Sequence, residues 1–442
     1  MAAPLTLFEH EYKRFDWTDR DCAKLEQLRL ALGTEVLRAT VRNGKKVIQA
    51  AQHVGVIRLS NRTIQILPKI YRTKESADEA ARAREATHNL LYLLAHAGQL
   101  PVREQAIAPL LKRGKDWFEI LTRLFASHLL EEWQRGAYRT YQTVEDDLPV
   151  LKGKWLISEQ IRRPLSRHRF FVAFDEFTAD NQLNRIFRFV VERLWRMTRD
   201  GDNRQLLGEL RQWMEEVRLL PRVTVEDATP SLLTRLNQRY EPLLNLARLF
   251  LDDGSLQLAA GDFTTFSFVF DMNQLFEAFI INFIRRHRAE IFESAPALRN
   301  CDLLPQSQGT SLYLAKKDSQ RSVFLLRPDL VFRSKSKQFP LLLDTKYKRL
   351  NADDIKLGIS QADFYQMYAY ARRYDCPCVL LLYPQTSEMA QPLRARFPLQ
   401  ASDKSIEAAT VNMQIGLSNS QERQALIDEL KLILGGSDGD QK

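Results

Sequence analysis

Apolar and polar positions alternate in short runs near the start of the chain. Val36–Val41 and Lys46–Ala51 flank Asn43-Gly44, a dipeptide suited to the positive-φ positions of a tight hairpin turn. A second extended pair is expected in Val54–Leu59 and Thr63–Leu67, joined by Ser60-Asn61-Arg62 and closed by Pro68. Ile64 and Ile66 alternate there with Thr63 and Gln65, the period of a half-buried strand. A charged, Ala-rich stretch over 72–88 gives way to a helical run from Leu90, continued through Trp117–Trp133. Further extended segments are expected at 138–144, 150–157 and 169–177, with Pro149 and Pro164 as breakers.

Asp180 stands where a helix N-cap belongs, and Leu183, Ile186, Phe187, Val190 and Leu194 follow at helical spacing. Helices are expected over about 181–251, interrupted near Gly201 and Pro221. The last third mixes the two periods: helix 272–292, strands 322–332 and 340–347, helix 360–374, strand 378–383. That order implies a multidomain α+β or α/β protein. The expected division is a β-rich N-terminal domain with helices (1–178), a helical connector (179–255), a core with a mixed sheet flanked by helices (256–434) and a disordered tail (435–442).

Composition narrows the function classes. The chain has 442 residues, 45% apolar and 27% charged, enough to build full cores. Lys and Arg exceed Asp and Glu by 64 to 55, a net charge of +9 that suits a polyanionic partner. Four cysteines without paired CxxC spacing make neither a disulfide framework nor a zinc site, so a reducing, cytoplasmic setting is expected. The first ten residues lack the basic and apolar regions of a signal peptide. The most apolar long stretch, Phe266–Ile284, contains Asp271 and Glu277 and would span a membrane poorly, so no membrane partner is expected. No Gly-x-x-x-x-Gly-Lys-[Ser/Thr] occurs, so a nucleotide-driven step belongs to a partner. The seven histidines show no HxH or HxxxH spacing.

One segment concentrates chemistry. Pro328-Asp329 lies between apolar residues, and Leu341-Leu342-Leu343 runs into Asp344-Thr345-Lys346. Residues two apart on a strand share a face, so Asp344 and Lys346 project together, and a hairpin over 324–347 would bring Asp329 alongside. Two carboxylates and waters are hard ligands suited to Mg²⁺, with Mn²⁺ as a substitute. Glu277 flanks the apolar stripe of an upstream helix, from which it can face the same spot as a third acid. Gln366 and Tyr370, four apart, share a face of the downstream helix. The plainer reading of Asp-x-Lys is a surface ion pair at a strand end, with Asp329 capping a turn. Two basic clusters, Arg162–Arg169 and Arg285-Arg286-His287-Arg288, are phosphate-contact candidates, and Lys348 joins them; solvated turns and helix-end charges are the alternatives.

The ordered series Glu277, Pro328-Asp329, Asp344-x-Lys346, Gln366-x-x-x-Tyr370 resembles the PD-(D/E)XK nuclease pattern in its RecB-like form. It is more similar still to the McrC family, the nuclease subunit of McrBC-type restriction systems. Val54-Gly55-Val56-Ile57 through Pro68-Lys69-Ile70 resembles that family's N-terminal segment. Leu151–Ile157, Asp180–Ile186 and Asp271–Glu277 follow in the family's order. The resemblance implies a C-terminal PD-(D/E)XK core, metal ligation by Asp329 and Asp344 with Glu277 in support, a catalytic Lys346, and supporting roles for Gln366 and Tyr370. It also implies an N-terminal adaptor that docks on and stimulates a GTP-hydrolysing McrB-like ring.

The expected activity is Mg²⁺-dependent cleavage of double-stranded DNA, with a second copy or a second binding event needed to cut both strands. Two alternatives stand beside it: a scaffold that activates an NTPase ring through a vestigial nuclease fold, and a stand-alone RecB-like exonuclease.

Overall fold

The computed structural model describes residues 5–59, 62–72, 79–98, 117–162, 168–251, 266–293, 295–306, 308–310, 312–317, 321–386, 389, 391–414, 417 and 419–435. The Ser60-Asn61 turn, most of the Arg162–Arg169 cluster, the expected boundary near 255 and the tail after 435 lie outside the described residues. The chain forms two compact units, one built from 1–117 with 254–442 and the other from 118–253. The expected boundary at 178 falls inside the second unit, so the strands after 138 belong with the helices that follow them rather than with the N-terminal sheets.

In the first unit the expected hairpins form. Leu37–Arg42 pairs antiparallel with Lys45–Ala50, and Tyr12–Arg14 completes a three-stranded sheet. Asn43 (φ 48°) and Gly44 (φ 70°) make the two-residue turn that the dipeptide predicts. A second sheet runs in the order Leu5–Phe8, Arg62–Leu67, His53–Leu59, Phe266–Asp271. Its last strand comes from far along the chain and ties the N-terminal strands to the C-terminal region. Gly55 makes this pairing possible: it lies opposite Val269, and a Cβ there would stand 1.9 Å from the Phe268 carbonyl oxygen.

The central sheet has six strands in the order Asp302–Pro305, Leu330–Arg333, Leu341–Thr345, Cys378–Pro384, Ser405–Val411, Arg394–Pro398. Leu341–Thr345 runs antiparallel to Leu330–Arg333 and parallel to Cys378–Pro384; the latter is reached through the helix Gln361–Arg373. The single strand expected over 322–332 is two strands. Arg321–Leu326 pairs with Leu312–Lys317 in a separate ribbon, and Leu330 starts afresh in the central sheet. Pro328 explains the break, since it has no N–H to give a ladder and restricts the residue before it. Leu341, Leu342 and Leu343 are buried, as a strand in the middle of a covered sheet requires. Helix Met272–Arg286 packs against Leu341–Thr345, with Leu275, Phe276, Phe279, Ile280, Phe283 and Ile284 all buried.

The second unit combines the sheet Thr140–Leu148, Phe170–Thr178, Lys154–Trp155 with helices Gln182–Met197, Gly201–Trp213 and Glu241–Leu251. Only Lys154–Trp155 of the expected strand 150–157 pairs, because Gly153 turns the chain at φ 72° and a short helix begins at Ile157. The expected stripe Leu183, Ile186, Phe187, Val190, Leu194 is buried. Its N-cap is Asn181, whose side chain accepts from the Asn184 N–H, not Asp180. Asp180 instead pairs with Arg185 at 2.7 Å. The expected near-continuous helix is absent over 214–240, where only two short 3₁₀ turns occur.

Among the described residues no helix is long and apolar enough to cross a membrane. All four cysteines are free, and burial pushes the Cys376 thiol up to about 12, far from the thiolate form.

Candidate active site

The site lies at the carboxyl end of Leu341–Thr345, where parallel strands of a mixed sheet commonly place their chemistry. Leu330 faces Leu343 in the ladder, and continuing that register by one residue sets Asp329 across from Asp344. The fold therefore brings the two acids together through the hairpin. Lys346, on the same face as Asp344, sets its Nζ 2.5 Å from Asp344 Oδ2.

Each acid is held differently. Asp329 Oδ2 accepts from both the backbone N–H and the hydroxyl of Thr345, each at 2.7 Å. Burial raises the Asp329 carboxyl above the ordinary range, and the two Thr345 bonds pull it partly back. Asp344 is 1% exposed. Burial and then the charge of Asp329 push it up to about 7, against the opposing pull of Lys346. Its Oδ2 is paired with Lys346 by charge yet has no well-directed hydrogen bond. Burial works against the Lys346 ammonium, but Asp344, Asp329 and Asp363 outweigh it and hold it above the usual lysine range.

Glu277 comes from the helix packed on this strand. Its Oε1 accepts from Gln306 Nε2 at 3.0 Å, and its carboxyl is raised by burial and by Asp329. Gln366 Oε1 lies 3.4 Å from Lys346 Nζ, and its Nε2 donates to the Tyr370 hydroxyl at 2.8 Å. Tyr370 is buried, which together with Asp344 raises its hydroxyl pKa. All six candidates thus meet at one locus.

Two polar residues there escaped the sequence reading. Thr345 holds Asp329, and Gln306 bonds Glu277 through its side chain while its N–H donates to the Asp329 carbonyl at 2.8 Å. Thr345 is signalled by a hydroxyl lodged between the acid and the lysine. Gln306, in the turn just after another strand, carries no local signal.

Among the described residues no three His, Cys, Asp or Glu side chains stand together as a ready metal cage. Glu277 accepts from Gln306, and Asp329 from Thr345. The pair Asp329–Asp344 nonetheless fits a divalent cation. Two buried carboxylates that repel each other gain most from a hard, doubly charged ligand.

The three arginine candidates are not brought to this point. Arg285 and Arg286 lie at the far end of Glu277's helix, ~12 Å along its axis at 1.5 Å per residue, and Arg288 opens the short helix that follows. Arg288 donates to the carbonyls of Arg299 and Cys301 at 2.9 Å, a structural use rather than a free phosphate contact. Arg286 meets His96 Nε2 at 2.9 Å, and Arg285 is exposed. Lys348 Nζ is 2.6 Å from Asp363 Oδ2, so it is paired, although half of its side chain stays exposed.

Fold and site together define a multidomain α+β protein with a buried carboxylate–ammonium cluster at the carboxyl end of a mixed sheet. The chain belongs to the family of McrBC 5-methylcytosine restriction system components, whose model matches residues 48–384. This bears out the expected McrC-type resemblance. No curated protein matches the chain. Among solved structures, it is similar to a chain of a refined half-complex from a tetradecameric assembly of Thermococcus gammatolerans McrB AAA+ hexamers with bound McrC. That match has 24% identity and a TM-score of 0.73, covering 98% of this chain and 100% of the other. A chain from a cryo-EM structure of the Thermococcus gammatolerans McrBC complex is similar at 28% identity and a TM-score of 0.50, covering 65% and 88%.

Proposed function

We propose that this chain is the DNA-cleaving subunit of its restriction system, a PD-(D/E)XK endonuclease that hydrolyses phosphodiester bonds. The observation that carries the reading is the meeting of Asp329, Asp344 and Lys346 at one strand end. A structural ion pair needs one acid, whereas here a second buried acid is held opposite the first at an electrostatic cost.

Asp329 and Asp344 would hold Mg²⁺, or Mn²⁺ in its place, with Glu277 near enough to act on its waters. Bound there, the ion would supply Lewis-acid polarisation of the scissile phosphate. The remaining work falls to the chain's own groups. Lys346 keeps its proton at any physiological pH, so it offers a fixed positive charge for the oxygen on which negative charge grows. Gln366, braced by Tyr370, fixes the direction of the Lys346 ammonium. Thr345 favours the ionised form of Asp329 and aims it, and Gln306 does the same for Glu277.

The partner side rests on the family and on the similar structures, in which McrB AAA+ hexamers carry bound McrC. By that analogy this chain docks on a GTP-hydrolysing McrB-like ring and stimulates it. One site cuts one strand, so a double-strand break takes two copies or two binding events.

The test is plasmid cleavage by the full chain with its ring partner, titrated with Mg²⁺. Asp344→Ala and Asp329→Ala are expected to fall below about 1% of wild type, the scale of a lost electrostatic contribution, while still co-eluting with the ring. Undiminished cleavage by Asp344→Ala would overturn the site and leave a ring-activating scaffold.

A further inference from the structure

The ladder of Leu341–Thr345 ends one residue before Lys346. The Lys346 N–H still bonds the Leu382 carbonyl at 2.9 Å, but residues 346–350 have no strand of their own. Something else must hold this segment, and the next side chain shows what does. Tyr347 is 1% exposed, and its hydroxyl donates to Glu9 Oε2 at 2.8 Å. The same oxygen accepts the Lys69 N–H at 2.8 Å. Lys69 Nζ lies 4.5 Å from the centre of the Tyr347 ring and donates to the Tyr347 carbonyl at 3.2 Å. Arg349, two residues on, donates to the Lys69 carbonyl at 3.2 Å.

Glu9 and Lys69 meet because Leu5–Phe8 runs parallel to Arg62–Leu67, with the Glu9 N–H bonded to the Leu67 carbonyl. Both are nearly fully buried, Glu9 at 1% and Lys69 at 9% exposure. A carboxylate and an ammonium are costly to bury, and a core that needed only packing would use apolar residues here. The Tyr347 ring also meets Phe276, the residue before Glu277, at 6.0 Å between ring centres. One buried ring therefore touches the neighbours of both Lys346 and Glu277.

We infer that Glu9 and Lys69 are positioning residues: from the N-terminal sheet they clamp Tyr347, and through it they set the place of Lys346 at the strand end and of Glu277 on its helix. The catalytic half of this inference rests on the nuclease reading; the clamp itself does not. It gives Pro68-Lys69-Ile70 a task that partner docking does not cover.

The experiment uses the full chain with Glu9→Ala, Lys69→Met and Tyr347→Phe, the last keeping the ring so that packing survives. Hydrogen exchange is read on peptides covering 341–348 and, as a control, 182–197. Steady-state cleavage with the ring partner gives kcat and KM for DNA. Exchange is expected to rise at 341–348 and not at 182–197. With it, kcat should fall roughly ten- to a hundredfold, the scale of a misplaced catalytic group, with KM for DNA within about twofold. Glu9→Gln keeps an acceptor oxygen for both donors and should recover most of the loss relative to Glu9→Ala. Unchanged exchange at 341–348 overturns the clamp and leaves the nuclease reading intact. Raised exchange with unchanged kcat overturns the catalytic role. A wild-type chain that cleaves nothing with metal and ring present fells the nuclease reading and the catalytic half together, while the exchange result still decides the clamp.

Discussion

Thr345 donates twice to a single oxygen of Asp329, through its backbone N–H and its hydroxyl, both at 2.7 Å. Thr345, which stands between Asp344 and Lys346 in the sequence, thus fixes the second acid. Thr345→Val keeps the shape and the backbone bond and removes the hydroxyl. The expected result is a stability loss of about 1 kcal/mol, the net worth of such a bond. Half-maximal cleavage should also need about tenfold more Mg²⁺, in keeping with lost support of a ligand. Thermal melting and a Mg²⁺ titration of plasmid cleavage check the two.

The raised Asp344 carboxyl links stability to pH. Below about pH 4, the usual carboxylate range, Asp344 is protonated in both the folded and the unfolded chain. Between there and about 7 the unfolded chain loses this proton while the folded chain keeps it. Each rise in pH across that window therefore disfavours the folded state. Asp344→Asn removes the effect. In metal-free buffer the melting temperature of Asp344→Asn minus that of wild type should grow as pH rises from about 4 to 7, then level off. A flat difference across the window would show that burial does not raise this carboxyl.

Gly55 sits at φ 135°, and a Cβ would meet the Phe268 carbonyl at 1.9 Å. Gly55→Ala must push apart the strands that join the N-terminal sheet to Phe266–Asp271. A cost of roughly 2–5 kcal/mol is expected from strain and overpacking together, measured by urea unfolding. Because Glu9 and Lys69 belong to the same region, cleavage should fall even where the variant stays folded.

The arginines at and just past the end of the Glu277 helix should separate by role. Arg288→Ala breaks two bonds to main-chain carbonyls and is expected to cost about 1–3 kcal/mol, with the salt dependence of DNA binding unchanged. Arg285 is exposed. If the helix end touches DNA, Arg285→Ala lowers affinity evenly across sequences and reduces the salt slope by about one. Fluorescence anisotropy over a salt series reads both.

Much of the local structure was legible along the chain. Asn43-Gly44 announced its hairpin, the spacing from Leu183 to Leu194 announced a buried helix face, and Asp344-x-Lys346 announced two side chains on one face. Each is a short-range matter, set by φ preference or by side-chain period, and needs no knowledge of distant residues. Errors arose where two short-range signals conflicted. The apolar run on both sides of Pro328 reads as one strand, yet the missing N–H splits it between two sheets. Residues 150–157 look extended, yet Gly153 turns them. At Asp180 two adjacent residues could each cap the helix, and pairing with Arg185 settled which one does.

By itself, then, the order of residues determined which short elements form and which faces their side chains occupy on those elements. Only the tertiary structure decided that Phe266–Asp271 completes an N-terminal sheet and that Gln306 and Thr345 hold the acids. It alone set Arg288 against carbonyls and brought Glu9 and Lys69 onto Tyr347, more than 270 positions away. The reason is physical. Period and propensity act over a few residues, whereas the partner of a buried charge is chosen by which distant segments the core forces together, since a buried charge cannot be left without one.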